Sequence, residues 1–205
     1  MDMRIKPLLI AAALVATAAL SGCMSDTLIP ANYSSVHDAG YTVPAIPIDK
    51  VPREFRRQNV EFDTAEKPGT IIVDTQAKYL YFVLPEGRAI RYGIGVGREG
   101  FEWNGTAHIA LKREWPVWTP PREMIKRQPQ LVKFAGGQPP GPTNALGARA
   151  MYLFNKGGDS GYRLHGTPEW WSIGKAMSSG CIRLLNQDII DLYDRTEVGA
   201  KVIVK

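Results

Sequence analysis

The sequence predicts a mostly β domain over the last two thirds of the chain, and three observations carry that prediction. From Lys67 onward, short β-branched and aromatic runs alternate with turn residues. Glycines interrupt those runs at Gly93 and Gly95, a pattern that fits bulges or close backbone approach. The segment Asn186 to Arg195 has the most helical spacing. Residues 67–205 are enough for one independent core.

Taken in order, Arg4 and Lys6 form a short basic region ahead of an apolar run from Leu8 to Leu20. That run falls short of the roughly 20 residues a membrane-spanning helix needs, so residues 1–22 read as an export signal. It ends in Leu20-Ser21-Gly22-Cys23, which resembles a lipobox in which Cys23 is lipidated and becomes the mature first residue. The alternative is an ordinary signal peptide that happens to contain a cysteine. Met24, not aspartate, follows Cys23, and by resemblance to lipoprotein sorting this places the anchor in an outer membrane, facing the periplasm. Residues 23–66 carry Pro44, Pro47 and Pro52 and have no clear period. They read as a tether with a short docking strand, in which His37 is solvated.

Strands follow at Thr70 to Asp74 and Tyr79 to Leu84, with Ala89 to Val96 continuing after the next turn. Gly95-Val96-Gly97 lacks the further glycine and the following helix of a nucleotide loop. Trp115 to Pro121 is a packed corner or a border of the cleft, and Pro139-Pro140-Gly141-Pro142 marks a mobile flap near it. Asn186 to Arg195 gathers Ile189, Ile190, Leu192 and Tyr193 on one helical face, and Lys201 to Lys205 closes the chain with a strand.

Lysine and arginine number 25 against 20 acidic residues, a formal charge of +5. Loss of residues 1–22 removes Asp2, Arg4 and Lys6 and leaves +4. The basic residues are scattered with no helical stripe, and export argues against a nucleic-acid partner. Mild cationicity suits an anionic polymer as well as it suits an ordinary solvated surface. Histidines stand only at 37, 108 and 165, without paired-ligand spacing, so no metal and no cofactor is implied.

Chemistry concentrates in Arg163 to Arg183, RLHGTPEWWSIGKAMSSGCIR. A free thiol is mostly protonated at neutral pH and attacks a carbonyl well only with a base or a cationic neighbour. His165 supplies the base and Cys181 the thiol. The backbone N–H groups of Gly180 and Cys181 offer an oxyanion hole, and Arg183 can hold a substrate carboxylate or steady developing charge. A lone cysteine is as readily a small buried hydrophobe, but its company with His165, Gly180 and Arg183 favours the nucleophile. If Cys23 is acylated, Cys181 has no intramolecular partner in an oxidising compartment.

His165-Gly166-Thr167, Ile173-Gly174 and Ser178-Ser179-Gly180-Cys181-Ile182-Arg183 together resemble the active-site signature of the L,D-transpeptidase catalytic domain, which acts on bacterial peptidoglycan. The resemblance extends through Ile71 to Asp74, Tyr79 to Tyr81, Tyr92 to Gly97, Trp115 to Pro121 and Leu146 to Leu153, so it spans about residues 67 to 205. It implies a mixed β-sheet, sandwich-like domain with a few short helices. It further implies that Cys181 attacks the carbonyl of the third stem residue, releases the terminal D-alanine and is left as a thioester. An amine on a neighbouring stem then resolves the thioester into a 3→3 cross-link. In that scheme His165 is the base, the Gly166 carbonyl orients its imidazole, and Arg183 orients substrate or supports the oxyanion. Tyr152 and Arg163 would lie on strands leading into the site, with Ser179 and Gly180 beside the thiol. Trp170 and Trp171 would cover the loop between His165 and Cys181 or touch the stem peptide.

Many members carry a histidine where this chain has Ser179, which can hydrogen-bond but cannot act as a base near neutral pH. His165 must then work alone. Two other acceptors stay open for the same acyl-enzyme: an amine of an envelope protein, which would be tethered to the wall, or water, which would make a carboxypeptidase. A wall-binding module without catalysis is the reading from another class.

Overall fold

The computed structural model describes residues 31–99 and 103–205. The export signal and Cys23 lie outside the described residues.

The N-terminal segment forms a small hairpin, β1 (Val36–Asp38) and β2 (Tyr41–Val43), then two 3-10 turns and β3 (Gln58–Glu61). The body follows as β4 (Ile71–Asp74), β5 (Tyr79–Leu84), β6 (Arg88–Gly93), β7 (Val96–Gly97) and β8 (Gly105–Glu114). A short helix α1 (Arg122–Arg127) and a 3-10 stretch from Pro129 to Phe134 lead to β9 (Arg149–Asn155) and β10 (Gly158–Thr167). β11 (Ala176–Ser178), β12 (Ile182–Leu185), α2 (Asn186–Arg195) and β13 (Lys201–Val204) complete the fold.

Nine strands make one sheet in the order β12-β10-β9-β8-β13-β4-β5-β6-β3. It is mixed: β10 runs parallel to β12 and β13 parallel to β4, while the remaining neighbours are antiparallel. Register shifts between Ile109 and Leu111 and between Asp159 and Arg163 bend the long strands β8 and β10. The sheet curls until Gly95, just past β6, meets Arg183 of edge strand β12, each backbone N–H donating to the other's carbonyl. The sandwich-like layering is therefore one sheet folded over its own core. Ile71, Leu80, Tyr92, Ile109, Leu153, Leu164 and Leu184 fill that core, and Ile189 and Leu192 of α2 join it. On α2, Ile190 and Tyr193 are only half-buried, so the apolar face narrows to the two core residues.

The segment expected as a tether is packed onto the domain from Ala31 onward. β3 pairs with β6 through Gln58–Arg91 and Glu61–Arg88. Phe55 lies where a Cβ at Gly93 or Gly174 would collide with it, so both glycines are needed for its close approach. Tyr33 is buried and its hydroxyl donates to Asp188 Oδ2 at 3.2 Å, while Gln187 Nε2 donates to the carbonyls of Ser34 and Pro44. Asp38 accepts two hydrogen bonds from Arg149 and one from Trp115 Nε1. Proline removes local order, and these long-range contacts restore it.

Among the described residues no helix is long and apolar enough to cross a membrane.

Candidate functional site

The parallel register of β10 and β12 assembles the site. Leu164 pairs with Ile182 and His165 with Arg183, and side chains alternate between faces along a strand. Arg163 and His165 on β10 therefore share a face with Arg183 and with Cys181, the residue just before β12. On the other flank of β10, Arg163 pairs with Tyr152 of β9. All five line one cavity of about 510 Å³ together with Ser179. Trp118, Met124, Leu131 and Phe134, from the insertion between β8 and β9, form its apolar wall.

Gly166 locks the histidine. A Cβ at Gly166 would meet Asn186 Oδ1 and, at 2.8 Å, Ile189 Cγ2, so only glycine lets β10 lie this close to α2. Asn186 Oδ1 in turn accepts from the Ala148 N–H at 2.9 Å. The Gly166 carbonyl is thereby fixed 2.6 Å from His165 Nδ1. A carbonyl only accepts, so Nδ1 carries the hydrogen and Nε2 the lone pair. Burial, then Arg183 and Arg163, push the imidazole down to about 4 despite the Gly166 bond, so it is neutral near pH 7.

Cys181 is a free, half-buried thiol. Burial raises its pKa against the Arg163 backbone hydrogen bond and the positive charge of Arg163 and Arg183. The resting pair is thus a neutral thiol and a neutral imidazole.

Two residues of the loop already have partners within the chain. Gly180, at φ 115°, turns its N–H onto Ser178 Oγ at 3.2 Å, so that donor is engaged within the loop. Gly180 lines a second cavity of about 350 Å³ on the far side of the loop, with Trp103, Tyr162 and Lys78. Buried Ser178, part of the signature but given no role in the sequence, stitches the turn by also donating to the Cys181 carbonyl at 2.6 Å. Arg183 is likewise not free: Nη1 donates to Glu169 Oε2 at 2.8 Å. Glu169 lies four residues after His165, and that spacing inside the motif was the available signal.

Arg163 lies over the Tyr152 ring at 4.3 Å and forms a bidentate pair with Asp159. Trp115 is the packed corner and Trp118 the cleft border, so the tryptophan-proline loop does both jobs. The proline turn is cross-stitched by Asn144 Nδ2 to the Gln138 and Pro139 carbonyls, which holds it as a fixed rim. Trp170 packs against the buried cluster of Tyr33, Ile173 and Leu185, and neither Trp170 nor half-exposed Trp171 lines the cavity. His37 and His108 lie on β1 and β8, away from the cavity. No group of three or more His, Cys, Asp or Glu among the described residues is placed to hold a metal.

Residues 68–204 match the family described as YkuD, L,D-transpeptidase catalytic domain. The chain belongs to that family. It is 36% identical over 147 residues to "Probable L,D-transpeptidase ErfK/SrfK" of Escherichia coli (strain K12), covering 68% of this chain and 44% of that protein. It is 31% identical over 199 residues to "Putative L,D-transpeptidase in ATP synthase subunits region ORF 5" of Fuscovulum blasticum, covering 88% of this chain and all of that protein. The chain thus spans under half the ErfK/SrfK protein. Among solved structures, "Probable carnitine operon oxidoreductase caia" from Brucella melitensis is 47% identical with a TM-score of 0.52, covering 76% of this chain and 96% of that one. That name states a different activity for that protein. For this L,D-transpeptidase family member, the cavity residues carry the functional reading.

Proposed function

We propose that the protein cross-links peptidoglycan stem peptides through a thioester on Cys181. The observation that carries this reading is the register that sets Cys181 and His165 on one face of one cavity, with Nδ1 of His165 tied to Gly166. Nε2 of His165 takes the thiol proton as sulfur attacks the carbonyl carbon of the third stem residue. The amide C–N bond then breaks, the imidazolium returns the proton to the departing D-alanine nitrogen, and the thioester remains. A stem amine attacks that carbonyl, sulfur leaves and is reprotonated, and a 3→3 link forms. With the Gly180 N–H turned to Ser178, oxyanion stabilisation falls to the Cys181 N–H and the nearby positive charge of Arg183. Tyr152 and Arg163 line the approach.

The same acyl-enzyme can be resolved by an envelope-protein amine or by water. A lipid anchor at Cys23, after export, would hold the domain on the periplasmic side of the envelope within reach of the wall.

The test incubates the purified full chain with disaccharide-tetrapeptide beside Cys181→Ala, with products read by mass spectrometry. Release of D-alanine with a Cys181-dependent dimer is expected. Release yielding only tripeptide replaces the cross-linking step with hydrolysis or a missing protein acceptor. No release from either chain overturns the enzymatic reading in favour of a wall-binding module.

A further inference from the structure

Residues 31–57 form a strap whose two ends meet on α2. The Arg57 N–H donates to the Tyr33 hydroxyl oxygen at 2.7 Å, that hydroxyl donates to Asp188 Oδ2, and Arg57 Nη1 pairs with Asp191 at 2.8 Å. Between those ends the Ile46 N–H donates to the Tyr33 carbonyl at 2.9 Å, so the chain doubles back on itself. Gln187 Nε2 ties both passes to the helix by donating to the carbonyls of Ser34 and Pro44 at 3.2 and 2.9 Å.

The residues that hold the strap stand next to one that holds the catalytic site. Asn186, Gln187 and Asp188 are consecutive in the first turn of α2, and all three are buried. Gln187 and Asp188 bond the strap, whereas Asn186 Oδ1 accepts from the Ala148 N–H and stands where a Cβ at Gly166 or Gly147 would collide with it. Gly147, at φ 63°, lies against Gly166 as well: its Cβ would come within 2.5 Å of the Gly166 carbonyl carbon. The carbonyl that receives His165 Nδ1 at 2.6 Å is therefore clamped between Gly147 and the Asn186 turn. No side chain caps that turn, because Leu185 occupies the N-cap position. Ile189 and Leu192 anchor the later turns in the core, and the first turn takes its further anchorage from the strap. Residues of one helical turn move together, so a shift of Gln187 carries Asn186 with it. None of Tyr33, Ser34, Pro44, Arg57 or Gln187 lines the cavity that holds Cys181.

We propose that the strap is a positioning element for the chemical step, with Tyr33 and Gln187 as positioning residues that act on His165 through the Asn186 turn and the Gly166 carbonyl. The imidazole keeps its productive orientation only while the strap is seated. The inference rests on the reading of His165 and Cys181 given above, and it assigns the segment ahead of the sheet body a part in turnover, not in binding.

The test uses the purified full chain, its Gln187→Leu and Tyr33→Phe variants, and disaccharide-tetrapeptide. Gln187→Leu keeps the bulk and removes the donor to both carbonyls, and Tyr33→Phe keeps the ring and removes the hydroxyl. D-alanine release, referred to folded chain by near-UV circular dichroism, gives kcat and KM. Each variant is expected to lower kcat about 3- to 30-fold with KM unchanged, since a 1 Å misplacement costs on the order of 10²-fold and a loosened turn moves less. In a His165→Ala background the same substitutions should cost nothing further, because the group they position is gone. An unchanged kcat in either folded variant, or an equal loss in the His165→Ala background, would overturn the inference and leave the transpeptidase reading standing. Absence of D-alanine release by the wild-type chain would overturn both. If Gln187→Leu fails to fold, Tyr33→Phe carries the same comparison by itself.

Discussion

Burial, more than charge, governs the protonation of the thiol and imidazole, and this makes a sharp prediction about reactivity. His165 is pushed down to about 4 and the Cys181 thiol is raised above its ordinary value of 9.0. At pH 7 an imidazole of that kind holds a proton in roughly one molecule in a thousand. A resting thiolate–imidazolium pair is thus disfavoured on both sides. A thiol at 9.0 is about 3% ionised at pH 7.5, and burial lowers that fraction further.

Alkylation of Cys181 by iodoacetamide, followed by intact mass between pH 5 and 9.5, reads this directly. The rate should rise about tenfold per pH unit from pH 5 to about 8, without the plateau that an ion pair gives between its two ionisations. His165→Ala should change that alkylation little, because the imidazole does not set the thiolate fraction. The same variant should slow acylation by tetrapeptide roughly 10²- to 10⁴-fold, the loss of a general base acting in the transition state. A flat alkylation rate from pH 5 to 8 would refute the neutral resting pair. Equal loss of alkylation and acylation in His165→Ala would refute the separation of roles.

Gly166→Ala should cost about 1–3 kcal/mol in denaturant unfolding and slow acylation as well, since relief of the Asn186 and Ile189 clash moves the carbonyl that holds His165; wild-type values for both would remove Gly166 as the lock. Phe55→Ala should cost about 2 kcal/mol, discounted for half-burial, and expose the 44–57 stretch to limited proteolysis, whereas an unchanged midpoint and cleavage pattern would count against the packed segment. Asp188 is raised to about 7 by burial from its ordinary 3.8, so its contribution is fully present below 3.8 and is lost as pH rises through 7. This group should lower stability by about 2–3 kcal/mol between pH 5 and 8, and Asp188→Asn should flatten that slope; an identical slope in the variant would show that Asp188 is ionised throughout. His165 acts in the opposite sense, with its contribution full above 6.5 and lost as pH falls toward 4, so an acid limb of unfolding that His165→Ala leaves unchanged would argue against a buried neutral imidazole.

The body of the fold was legible because its signals are local. The β4–β5 hairpin reads from Ile71 to Leu84, α2 starts and ends where helical spacing does, and β13 occupies the closing apolar run. The site was legible for the same reason: His165 and Cys181 stand in one glycine-rich stretch, and a parallel pairing within that stretch brings them to one face. Residues 31–66 were not. Their anchors are Asp188, Gln187 and Arg149, more than a hundred positions away, and a proline-rich segment without period gives no hint of partners that distant.

The partners of the loop's donors were hidden for a different reason, and it is the more instructive one. A motif names which residue types stand beside a thiol but not where each donor points. The Gly180 N–H was assigned to an oxyanion because it precedes Cys181, yet a serine two residues back competes for the same hydrogen through a short side-chain-to-backbone bond. The motif offers Arg183 to a substrate carboxylate or to developing charge, and a carboxylate of the chain already occupies one of its donors. In both cases a donor that the motif offers to the substrate is shared with a neighbour from the same short segment. Satisfaction of buried polar groups in the resting state therefore constrains the chemistry as much as the nucleophile does.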